Sequence, residues 1–221
     1  TKVFATTQCI MKLYDEGKIE LDDNVSKYLP DFAQNDKDNV TLKNLLLHNS
    51  GMPDYYTPKP GQSPESIIDS IYAREKAYTT GSGMVYSCLN FVTLMKVVEE
   101  VTGKPMYQFY EEQFVDPLGL ESTMFIPPEE LNDRIAPATP ELKGTVHDPL
   151  ARGLKGLSGN AGLFSTTGDL AEFCQLMLQK GKKDGKRFYA KGTVEKFTNP
   201  KNNYSSRALG WDTNIKGNKS C

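Results

Sequence analysis

The chain has 221 residues, 38% hydrophobic and 24% charged, so it can bury a core and does not read as disordered. Its formal net charge is −2, and its one basic cluster, Lys180 to Arg187, is broken by Gly181, Asp184 and Gly185, which argues against a nucleic-acid partner. Scattered cysteines (Cys9, Cys88, Cys174, Cys221), two histidines (His48, His147), no H-E-x-x-H and no long apolar run argue against a zinc site, a disulfide scaffold, any metal or cofactor, and a membrane span.

Val3, Phe4, Ile10, Met11, Leu13 and Tyr14 recur at helical spacing, so Lys2 to Glu16 is a predicted helix that stops at Gly17. Lys18 to Pro30 is polar and turn-rich. Thr41 caps a short helix through Leu42, Leu45 and Leu46, and His48 to Gly61 is a loop. Ser63-Pro64 starts a helix through Ile67, Ile68, Ile71 and Tyr72. Leu89 to Thr102 is amphipathic, with Leu94, Val97, Val98 and Val101 on one side and Gly103 at its end. Pro105 opens another helix, through Tyr107, Tyr110 and Phe114, that stops before Pro117. Pro127 to Gly162 reads as irregular, Thr167 to Lys180 as a capped helix closed by Gly181, Ala190 to Thr198 as a last helix, and Arg207 to Asp212 as a strand. No repeat or linker divides the chain. So many helices with so little sheet suggest a domain lacking strands at one or both ends. The first residues read as helix interior, with no initiator Met and no signal peptide.

Two sites stand out. Lys2 in a helix start is ordinarily a solvated first-turn lysine, and Tyr86 before a helix is ordinarily a core tyrosine. Lys2 would complete an S-x-x-K motif whose serine stands three residues earlier, before Thr1. Residues i and i+3 share a helix face, so the amine reaches the hydroxyl, and a desolvated lysine can act as base. Tyr86-Ser87-Cys88 follows the glycines 81 and 83 and precedes an apolar helix.

The ordered run GSGMVYSCLNFVTLMKVVEEVTGKPMYQFYEEQFVDPLGLESTMF resembles the serine β-lactamase and penicillin-binding-protein superfamily, as do LYDEGKIELDDNVSKYLPDF, TLKNLLLHNSGMPDY and VHDPLARGLKGLSGNAGLFSTTGDLAEF. The last of these points to the class C-related subgroup of esterase-like and D,D-peptidase-like members. The resemblance implies that Lys2 and Tyr86 are catalytic, with amine and hydroxyl within about 3 to 5 Å, and that Cys88, Gly159, Asn160, Ala161 and Gly162 bind substrate. Cys88 stands where the family has Asn or Asp, and a thiol is a poor substitute for an amide in hydrogen bonding. His48 and Ser50 belong to a segment the family uses structurally. The family's K-T-G or H-T-G strand should follow RALGWD, beyond Cys221. Thr1 as an N-terminal nucleophile is a further reading, but Thr1 falls in register with the residue before the lysine of S-x-x-K.

The implied fold is α+β, β-lactamase/transpeptidase-like: one domain over 1–221, with a mostly helical subdomain over 18–148 and an α/β subdomain from 1–17 and 149–221 whose sheet strands are largely missing. The helix 167–180 should therefore lack its sheet partner, leaving Leu170, Phe173 and Leu176 more exposed than Val98 and Val101. The implied activity is serine hydrolysis through an acyl-enzyme on D-Ala-D-Ala peptides, β-lactams or small esters. The rival is a non-catalytic domain that binds peptidoglycan fragments or serves assembly. The resemblance also implies a bacterial, periplasmic or extracellular setting, a small-molecule or peptidoglycan-like substrate, no cofactor, and fusion to another domain in some relatives. This chain alone should be inactive. Cys9 and Cys174 should face the core as free thiols, with Cys88 at the cleft and Cys221 also free.

Overall fold

The computed structural model describes residues 1–199 and 206–213; the thiol expected at Cys221 lies outside them. The chain opens with a π-helical turn, Lys2–Thr6, that runs directly into α1 (Thr7–Asp15). Such turns recur at functional sites. Gly17 ends the rod at φ 67°. Cys9, Ile10, Met11 and Leu13 are buried, and so are Thr6, Thr7 and Gln8. A helix wrapped on all faces acts as a central post. The buried Gln8 is satisfied: its Oε1 accepts from the Tyr189 hydroxyl at 2.8 Å, and its amide donates to the Val3 carbonyl at 3.0 Å.

The elements follow the expected order. Thr41 caps α2 (Leu42–Leu46) with a reciprocal box to Asn44. Ser63 caps α3 (Pro64–Tyr72), with the proline in the first turn where no N–H is needed. Ser87 caps α4 (Cys88–Thr102), whose end is Gly103 in the left-handed region. α5 (Met106–Tyr110) does not stop before Pro117. It continues through a π-helical turn, Glu111–Val115, into α6 (Asp116–Leu118). Pro117 falls in the first turn of the new segment, where its missing N–H costs nothing.

Next come β1 (Met124–Phe125), α7 (Pro149–Gly153) and β2 (Leu163–Phe164). β1 and β2 pair antiparallel, Met124 opposite Phe164 and Phe125 opposite Leu163. α8 (Thr167–Leu178) is followed by the small hairpin of β3 (Lys182–Lys183) and β4 (Lys186–Arg187), and then α9 (Lys191–Thr198). α4, α5 and α9 pack on α1. The apolar core is one cluster running from Ala5 to Leu209.

Besides the helix that runs past Pro117, three further expectations are corrected. Arg207 to Asp212 is a tight turn closed by a single bridge. The Gly210 amide donates to the Leu46 carbonyl at 3.0 Å and the Leu209 amide to the Phe197 carbonyl at 3.1 Å, so its backbone groups are spent on α2 and α9. The helix expected to lack cover also has it: Phe173 and Leu176 of α8 are buried and Leu170 is half-buried, while Val101 is itself only half-buried. Phe4 meets Phe173 edge-on at 4.6 Å and Trp211 stacks on it at 6.2 Å. The entering turn and the 207–212 turn thus cover α8 where a sheet was expected. Cys9 is buried, but Cys174 is exposed, because Phe173, Leu176 and Met177 set the inward face and position 174 points away from it.

Candidate functional site

The entering π turn and the start of α4 bring Lys2 beside the first residue of α4. The Lys2 ammonium donates to the Cys88 Sγ at 3.4 Å and to the Asn160 carbonyl at 3.0 Å. It lies 4.9 Å from the centre of the Tyr86 ring and 5.9 Å from that of Phe91. Aromatic faces attract a cation through their quadrupole, so two rings and two acceptors hold the amine. Lys2, Tyr86, Cys88 and Asn160 therefore converge. The form of the Tyr86 contact differs from a direct hydroxyl–amine bond. Among the described residues no hydrogen bond joins the two groups, and the ammonium faces the ring. Cys88 is half-buried at the cleft, with its amide fixed on the Asp54 carbonyl at 2.7 Å.

Tyr86 is 48% exposed and is held from behind. Its ring lies 4.6 Å from that of His48, and the Arg207 guanidinium stands 5.2 Å from its centre. His48 Nδ1 accepts from the Ser87 amide at 3.0 Å. Burial, with the Arg207 and Lys2 charges nearby, lowers the imidazole pKa to about 3, so it is neutral at physiological pH. Ser50 Oγ donates to Asn90 Oδ1 at 2.7 Å and accepts from the Met52 amide at 3.1 Å. Each of the pair is thus committed to a neighbour, and among the described residues no hydrogen bond joins their side chains.

The opposite wall is the loop 158–162. A Cβ on Gly159 would sit 2.1 Å from the Phe91 carbonyl oxygen and 2.8 Å from Met95 Cβ, so only glycine lets this loop lie on α4. Thr6 Oγ1 donates to the Gly159 carbonyl at 2.7 Å, tying the loop to the entering turn as well. Asn160 is set by both ends of its amide: Oδ1 accepts from Ser158 Oγ at 2.6 Å, and Nδ2 donates to Asp148 Oδ1 at 3.1 Å. Asp148 also caps α7 through the Ala151 amide at 2.8 Å and accepts from the Tyr55 hydroxyl at 3.1 Å. Burial, with Asp148 beside it, pushes the Tyr55 hydroxyl up to about 12. Ala161 is half-buried and Gly162 buried. The next amide, of Leu163, donates to Thr1 Oγ1 at 3.0 Å and fastens β2 to the turn that carries Lys2.

The residues missed by sequence reasoning are Asp148, Tyr55 and Arg207. Asp148-Pro149 is a legible cap-and-proline helix start; its reach to Asn160 is not. Nothing in the local sequence marks Tyr55 or Arg207, because their partners are distant in the chain. Chemically, the arrangement is a fixed amine in a ring-lined cleft, open on the Tyr86 side, with a thiol in hydrogen-bonding reach.

The family model "Beta-lactamase" matches residues 1–219. An Escherichia coli (strain K12) protein named "Putative D-alanyl-D-alanine carboxypeptidase" is 33% identical over 252 residues, covering 97% of this chain and 57% of that protein. A Bacillus subtilis (strain 168) protein named "N-acetylmuramyl-L-alanine amidase" is 32% identical over 254 residues, covering 100% of this chain and 57% of that protein. The chain thus spans little more than half the length of these relatives. Among solved structures, a D-stereospecific amidohydrolase from Streptomyces sp. superposes with a TM-score of 0.73 at 26% identity, covering 95% of this chain and 67% of that one.

Proposed function

Since the chain belongs to the β-lactamase family, we propose that the protein it forms is a serine hydrolase working through an acyl-enzyme. The nucleophile of this reading is a serine three residues before Lys2. It attacks a carbonyl carbon, Lys2 takes its proton, and Tyr86 helps pass a proton to the leaving group. Water then cleaves the ester. The observation that carries the reading is the Lys2 amine, held at 3.0 Å from the Asn160 carbonyl and 3.4 Å from Cys88 Sγ in a cleft bordered by Tyr86. Fixing a base this way removes the entropy of finding it at the moment of reaction. In this reading Cys88 and the loop Gly159, Asn160, Ala161, Gly162 contact the substrate.

D-Ala-D-Ala peptides and small esters are the favoured substrates over β-lactams, because the thiol of Cys88 supplies neither the donor nor the strong acceptor of an amide. The relative named "Putative D-alanyl-D-alanine carboxypeptidase" supports the peptide class. A periplasmic or extracellular location goes with it. No helix among the described residues is long and apolar enough to cross a membrane.

The test compares a version carrying the upstream residues with the 221-residue chain, on p-nitrophenyl acetate, nitrocefin and a peptide ending in D-Ala-D-Ala. The longer protein should turn over ester or peptide faster than nitrocefin, and Lys2→Ala should cut the rate by roughly 10²–10⁴. The 221-residue chain should match the buffer blank. Turnover by that chain that dies on Lys2→Ala would place the nucleophile elsewhere. The absence of a hydrogen bond from the Tyr86 hydroxyl to Lys2 favours a second reading, a domain that binds cell-wall fragments without cleaving them. A residue other than serine three positions before Lys2 would select it.

A further inference from the structure

A second concave feature lies beside β2; it touches the loop 158–162 at Gly162, but its lining includes none of Lys2, Tyr86, Cys88 or Asn160. It is a cavity of about 250 Å³. Its apolar surface comes from Ile126, Val146 and Phe164, its two charges are Arg152 and Lys155, and its lining includes no carboxylate.

Three observations indicate that it is built rather than incidental. Ile126 is 54% exposed and sits at φ 49°, a backbone region that a β-branched residue occupies only when its surroundings force it there. The forced position lays its side chain against a glycine: a Cβ on Gly156, at φ 82°, would come within 3.3 Å of Ile126 Cγ1. Arg152 is oriented by donating one nitrogen to the Val146 and His147 carbonyls, at 3.1 and 2.5 Å. The Lys155 side chain forms neither a hydrogen bond nor an ion pair among the described residues. The carboxylate that senses its charge, Glu65, is not part of the lining.

We propose that this cavity binds a small organic carboxylate, with the charged end at Arg152 and Lys155 and an apolar body lying on Ile126 and Phe164. A pair of cations with no carboxylate in the lining selects an anion. The apolar lining and the volume favour an anion with a hydrocarbon body over a compact, strongly hydrated ion such as inorganic phosphate. The assignment does not depend on the hydrolase reading, since it requires no turnover.

The test uses 4-phenylbutyrate on the 221-residue chain, followed by amide signals in two-dimensional NMR. The neutral 4-phenylbutanamide and inorganic phosphate serve as comparison ligands. Phenylbutyrate should move the Thr145 and Gly156 amides, and the neutral analogue should bind at least about five-fold more weakly. Lys155→Asn, which removes the charge but tolerates the φ of 57° at this position, should weaken phenylbutyrate by a similar factor. Ile126→Gly should weaken it too while leaving the thermal midpoint unchanged or higher, because glycine relieves the backbone constraint. That pairing separates lost binding from lost folding. Equal binding of carboxylate and amide, signal changes confined to residues around Lys2, or phosphate binding as tightly as phenylbutyrate would overturn the assignment.

Discussion

The two walls of the Lys2 cleft are held by different forces. The Lys2 side rests on α1 and α4, where Ile10, Leu13, Leu89 and Phe91 are buried without remainder. The Asn160 side is a loop between α7 and β2, held by a polar chain from Tyr55 to Asp148 to the Asn160 amide. Burial is non-directional and tolerant of small shifts, whereas a hydrogen-bonded loop keeps its geometry only while every partner remains. The amine is therefore placed by packing, and the carbonyl that receives it is placed by polar bonds. Damage to the first wall should cost stability of the whole chain. Damage to the second should loosen one loop first.

The largest effect should come from the packed wall. Leu13→Ala leaves a cavity in the central post and should destabilise by about 2–5 kcal/mol, read as a lower urea midpoint. If the loss were below about 1 kcal/mol, α1 would not be the post described here.

Asp148→Ala strips acceptors from Asn160, Ala151 and Tyr55 together and should cost about 2–3 kcal/mol. Hydrogen exchange should accelerate at residues 150–163 before it does in α4. Uniform acceleration across both walls would erase the distinction between them.

His48, behind Tyr86, links the walls to pH. Its folded pKa, about 3, lies below the unfolded value of 6.5, so the unfolded chain binds the proton more readily. Its contribution is complete above pH 6.5 and is lost as pH falls from there toward 3, amounting to about 2 kcal/mol by pH 5. Protonation at Nδ1 would also displace the Ser87 amide. Urea midpoints at pH 7 and pH 5 should differ by this amount in the wild type and by clearly less in His48→Gln. An equal difference in the two proteins would show that the imidazole does not carry it.

The smallest effect belongs to an exposed pair that supports neither wall. Lys104 and Glu112 meet at 2.7 Å with both side chains nearly half-exposed. Glu112→Gln should change stability by less than about 1 kcal/mol, and salt should shrink the change.

What the sequence by itself determined is local in origin. Caps at Thr41, Ser63 and Ser87, prolines in first turns and glycine stops act within a few residues, so these helices were legible. The order of short motifs around Lys2, Tyr86 and Gly159 also pointed to the right family, and the structure brings Lys2, Tyr86, Cys88 and Asn160 together. The tertiary structure alone decided how the cleft is closed. Asp148 reaches Asn160 and Arg207 reaches Tyr86 only after helices have packed. Phe4 and Trp211 cover α8 from opposite ends of the chain. The strand expected at 207–212 became a turn because its backbone groups found α2 and α9 as partners. Propensity and motif spacing describe near neighbours, whereas the choice among distant partners is made by which buried groups can all be satisfied at once.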